Sequence, residues 1–100
     1  SPTKEAPLLK LFVVEREVPG IGAGTPAQLC AIARRSKEVL DAQGVGIQWI
    51  ESYVAGDRTY CVYRAESEAL IREHAARSGF PANRIVEIRR VLDPTMAGHE

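Results

Sequence analysis

The chain has 100 residues, 45% of them apolar and 26% charged, and its 13 basic and 13 acidic side chains cancel. That is the composition of one soluble globular domain, large enough to bury somewhat more than about 60% of its unfolded surface without staples and too small for two. Balanced charge with no run of one sign excludes nucleic acid and anionic membranes as expected partners. No apolar stretch, Leu11 to Val14 included, approaches the roughly 20 residues of a membrane span. Two cysteines, Cys30 and Cys61, are too few for a disulfide scaffold or a four-thiolate zinc site, so reduced thiols in a cytoplasmic protein are expected.

Residues 1–7, with two prolines beside Lys4 and Glu5, read as a flexible leader before a domain over residues 8–95. Leu8 to Val18 is rich in branched apolar residues and stops at Pro19-Gly20, which predicts a first strand. Gly20, Gly22 and Gly24 predict a flexible turn; their spacing fits neither the dinucleotide fingerprint nor the P-loop. Thr25, Pro26 and Gln28 then supply an N-cap, a proline at the first helical position and a capping-box partner. On the helix they open, Leu29, Ile32, Ala33, Ser36, Val39, Leu40 and Gln43 share a face, and Gly44 marks its end.

Residues 46–55 and 58–65 are strand-like around the turn Gly56-Asp57, a hairpin that carries four of the six aromatics. Ser67 is placed to cap a second helix ending at Gly79, with Leu70, Ile71, His74, Ala75 and Ser78 on its apolar face. Arg84 to Leu92 predicts the last strand, before a loose tail over residues 96–100. Strand, helix, strand, strand, helix, strand makes an α+β, ferredoxin-like βαββαβ sandwich, a four-stranded antiparallel sheet with both helices on one face. Right-handed crossovers place the third strand between the first and second, and the fourth outside the first.

The first strand is apolar on both sides, with Leu9, Leu11 and Val13 against Phe12 and Val14. The second repeats this with Ile47 and Trp49 against Ile50 and Val54, so the face without helices presents an apolar patch. The expected cover is a second copy, a homodimer joined through the open sheet face.

No standard catalytic signature is present; the unusual residue is His74, in the middle of an apolar helix face where an imidazole needs a partner. It is either a neutral core histidine or a ligand or base. The topology brings it toward the sheet end that carries Glu15, Glu17, Tyr53, Tyr60 and Cys61. Glu15 and Glu17 share a strand face by the period of two. Glu15 can approach His74 if Leu9, Leu11 and Val13 face the helices; with the opposite facing Glu15 belongs to the dimer interface. Their other reading is cross-strand ion pairing with Arg84, Arg89 or Arg90. Cys61 is either a soft ligand or a packed small hydrophobe.

Six segments then carry a resemblance: ERExPG at 15–20, WxxSY at 49–53, YCVY at 60–63, IREHA at 71–75, GFPANR at 79–84 and DPT at 93–95. Together they resemble a family of small ferredoxin-like proteins, otherwise a domain of unknown function, that includes an actinobacterial nickel-binding protein. The resemblance runs from about Leu8 to Thr95 and implies a cytoplasmic, dimeric protein that binds a nickel ion. Nickel(II) accepts imidazole and carboxylate oxygen, so the candidate ligands are His74, Glu15, Glu17, Tyr53, Tyr60 and Cys61, completed by water or a second subunit. The leading expectation is metal sequestration or sensing rather than catalysis. The alternative is a cofactor-independent enzyme or binding module with a pocket at Tyr53, Tyr60 and His74.

Overall fold

In a computed structural model that describes residues 8–98, Thr25 opens the first helix as a full capping box. Its hydroxyl accepts from the Gln28 amide at 3.2 Å, and the Gln28 side chain accepts from the Thr25 amide at 2.9 Å. The helix, α1, spans Pro26–Gln43 and closes where the Gly44 amide donates to the Leu40 carbonyl. The second helix, α2 (Glu68–Ser78), ends at Gly79, whose φ of 77° lets the chain turn away. Ser67 holds the N-cap position of α2 without a side-chain capping bond, so the expected cap interaction is absent there.

Four strands form one antiparallel sheet: β1 (Lys10–Glu17), β2 (Ile47–Ala55), β3 (Arg58–Ala65) and β4 (Arg84–Glu87), in the order β2-β3-β1-β4. This is the α+β ferredoxin-like arrangement and the strand order that the sequence predicts. The last strand is shorter than its composition suggests. Its last backbone bond to β1 runs from the Ile88 amide to the Leu11 carbonyl. Val91 and Leu92 leave the sheet 64% and 85% exposed. Beyond them, Asp93 caps a short 3-10 turn over Pro94–Met96 by accepting from the Thr95 amide. The leader, residues 1–7, lies outside the described residues, as do residues 99 and 100 of the predicted tail.

The core lies between helices and sheet. Phe12, Val14, Ile47, Cys61, Tyr63, Ala65 and Ile71 form its buried cluster, with Leu40, Trp49, Leu70 and Ile85 packed around it. The turn after β1 docks on the tip of the β2–β3 hairpin, where the Gly22 amide donates to the Gly56 carbonyl at 2.7 Å. A Cβ on Gly22 would stand 2.6 Å from that carbonyl oxygen, so this contact requires glycine. It brings the buried Ile21 beneath α1 and closes one end of the space between helix and sheet.

Candidate functional site

The facing of β1 decides how the candidate residues are grouped. Phe12 and Val14 point at the helices, and Arg16 follows them by the period of two; Leu11, Val13, Glu15 and Glu17 point to the open face. In β2 the parity changes partway. A bulge between Trp49 and Glu51 leaves Ile50 unpaired, so Ile47 and Trp49 face the helices before it and Ser52 and Val54 after it. Val54 therefore shares a side with Trp49, not the opposite side that unbroken alternation predicts. The same bulge turns Glu51 and Tyr53 to the open face.

Four of the six candidates thus lie on the open face. Tyr53 is opposite Tyr60, Tyr60 opposite Glu15 and Glu15 opposite Arg84, one row of side chains across all four strands. Glu17 stands on the same face, opposite Arg58. The Arg58 guanidinium joins the carboxylates, at 3.0 Å from Glu15 and 3.0 Å from Glu17. The ion-pair partner is thus on β3, rather than Arg84, Arg89 or Arg90. The Tyr53 hydroxyl donates to the Glu51 carboxylate, and that bond with the nearby negative charge raises its pKa, so it keeps its proton at neutral pH.

His74 and Cys61 lie on the other side of the sheet, so the structure does not bring His74 together with Glu15 and Glu17. For the same reason Tyr53, Tyr60 and His74 do not line a common pocket. His74 is fully buried between α1, α2 and β3, and both ring nitrogens are engaged. Gln43 Nε2 donates to the Leu70 carbonyl at 3.1 Å and to Glu73 at 3.2 Å, which turns Gln43 Oε1 toward His74 Nδ1 at 3.1 Å. With Nδ1 donating to that oxygen, Nε2 is left to accept from the Ser36 hydroxyl at 3.0 Å. Burial, then the charge of Arg16, lowers the His74 pKa from 6.5 to about 4, so the ring is neutral at pH 7. The Tyr63 ring lies tilted against it, centroids 5.6 Å apart. Cys61 is buried in the core cluster, with its thiol 3.7 Å from the Thr59 hydroxyl.

Arg16, absent from the candidates, is the most unusual side chain in this layer. It is 3% exposed, and its guanidinium donates to the Pro81 carbonyl and, at 3.3 Å, to the Tyr63 hydroxyl. Burial pushes the Tyr63 hydroxyl above its usual pKa, with the charge of Arg16 opposing the shift. Arg16 lines a cavity of about 300 Å³ between α1 and the sheet, with walls that include Leu29, Ile32, Trp49, Val54 and Phe80. Its sequence signal was parity: an arginine in step with Phe12 and Val14 on a strand faces whatever they face.

The donor chemistry of the described residues falls short of a complete nickel site. Among the described residues no three His, Cys, Asp or Glu side chains cluster closely enough to hold a metal ion. Glu15 and Glu17 are the adjacent carboxylate pair among the candidates, and oxygen donors of this kind fit a divalent cation once further ligands join them. No described helix is long and apolar enough to cross a membrane.

The family described as nickel responsive protein, SCO4226-like, matches residues 12–88. Among solved structures, SCO4226 from Streptomyces coelicolor A3(2) is similar, with a TM-score of 0.68 and 18% identity over 82% of this chain and 99% of that one. At that identity the likeness shows the fold. No curated protein matches.

Proposed function

The chain belongs to the nickel responsive, SCO4226-like family, and from that premise we propose that it is a small cytoplasmic Ni(II)-binding protein of nickel sequestration or sensing. The metal is taken on the open face of the sheet by Glu15 and Glu17, next to Tyr60 and Tyr53. The observation that carries this reading is the placement of the two carboxylates, side by side on one strand face. Two carboxylates leave a Ni(II) ion with open coordination positions, which water or a second copy fills. A homodimer joined through this face brings a second pair of carboxylates and covers Leu11, Val13, Val62 and Val86. His74 stays outside the site, because a metal on either nitrogen has to displace Ser36 or Gln43 from a fully buried ring.

Calorimetric nickel titration tests the assignment. Glu15→Gln and Glu17→Gln are each expected to weaken binding by about tenfold or more, roughly 1.4 kcal/mol, while His74→Gln leaves the isotherm in place. Loss of binding in His74→Gln alone would move the metal to the helix side of the sheet. Light scattering is expected to report twice the 11.0 kDa chain mass; a particle of one chain mass would remove the dimer.

A further inference from the structure

On the helix side of the sheet, a cation is buried without a counter-charge at the wall of an apolar cavity. Arg16 forms no ion pair among the described residues; the partners of its guanidinium are neutral, the Pro81 carbonyl and the Tyr63 hydroxyl, with the Phe80 ring 6.0 Å away. A buried charge paired only with neutral groups is costly, and a guanidinium has five N–H donors, of which these partners take two. The cavity beside it, about 300 Å³, is at the small end of the roughly 300–1,000 Å³ range of ligand pockets. Ile32 and Val54, 38% and 41% exposed, give it access to solvent.

We propose that this cavity binds a small amphiphilic carboxylic acid, its carboxylate on the Arg16 guanidinium and its apolar body along Leu29, Ile32, Trp49 and Val54. The planar fork of arginine matches a carboxylate in two parallel hydrogen bonds, and one anion neutralises one buried cation. The apolar walls exclude water from that pair and select against fully polar anions such as inorganic phosphate. Tyr63 positions the fork by accepting from one of its arms. The site is separate from the open-face carboxylates, so it stands or falls independently of the nickel reading.

The chain's single tryptophan, Trp49, lines the cavity and reports on it directly. The experiment titrates metal-free protein with decanoate, below its micellar concentration, and with decanol, following Trp49 fluorescence. Decanoate is expected to bind saturably and about tenfold or more tighter than decanol, and Arg16→Met is expected to remove that difference. Because removing a buried arginine can compromise folding, Ile32→Glu is the second variant. Its carboxylate sits at the mouth on an exposed helix position, and it is expected to weaken decanoate at least about tenfold while the far-ultraviolet dichroism stays unchanged. Equal binding of decanoate and decanol, no saturable binding, or undiminished decanoate affinity in folded Arg16→Met or Ile32→Glu would overturn the proposal.

Discussion

The two faces of the sheet are built from the same strands and handle polar groups in opposite ways. On the open face, charge stays near water: Arg58 pairs with Glu15 and Glu17 while each of the three keeps at least a quarter of its side chain exposed. On the helix face, polarity is buried with no ion pair among the described residues, His74 between Ser36 and Gln43 and Arg16 against Pro81 and Tyr63. A carboxylate can remain ionised on the first face because water solvates it, and an imidazole stays neutral on the second because little water does. The comparison shows why the six candidate ligands could not act as one set. Four belong to the environment that suits an ionised ligand, and the other two to a core.

The largest contrast is in packing. Ile71, fully buried against the helix face, is expected to cost about 2–5 kcal/mol when truncated to alanine, read as a lower urea midpoint at unchanged slope. Val13→Ala on the open face is expected to cost less in dilute protein, and its cost should grow with protein concentration if a second copy covers that face.

A second contrast is in pH. Unfolded histidine binds its proton near pH 6.5 and folded His74 only near about 4, so the unfolded state takes up the proton first. The stability contributed by neutral His74 is therefore complete above pH 6.5, declines as the pH falls toward 4, and levels off below. The full loss is about 3 kcal/mol. Denaturation midpoints of the wild type minus those of His74→Gln, measured from pH 8 to 4, should trace that decline. A difference that is flat with pH would mean that His74 titrates normally.

The smallest effect is expected at Arg58. Its two ion pairs are partly exposed, so Arg58→Ala should change stability by only about 0.2–1 kcal/mol per pair. The same substitution releases both carboxylates, and nickel affinity measured by calorimetry is expected to rise. A fall would show that Arg58 organises the carboxylates for the metal rather than competing with it.

The sequence by itself determined the elements whose signals are local. The Thr25-Pro26-Gln28 capping box, the Gly44 and Gly79 stops and the Gly56-Asp57 turn each act within a few residues, and with the order of strands and helices they imposed the ferredoxin-like topology. Local signals also placed Ser36, Gln43 and His74 on inward helix faces, because helical periodicity is read along one segment. What only the tertiary structure decided was facing. A strand apolar on both sides gives no local sign of which side meets the helices, so Glu15, Glu17 and Arg16 could be assigned only once α1 and α2 were seen to pack on Phe12 and Val14. The bulge at Ile50 reversed the parity of β2 for a similar reason. An extra residue in one strand is defined by the partner it fails to pair with, and that partner, β3, lies elsewhere in the chain. The meeting of Ser36, Gln43, His74 and Tyr63 from three elements is a property of packing, which no single segment records.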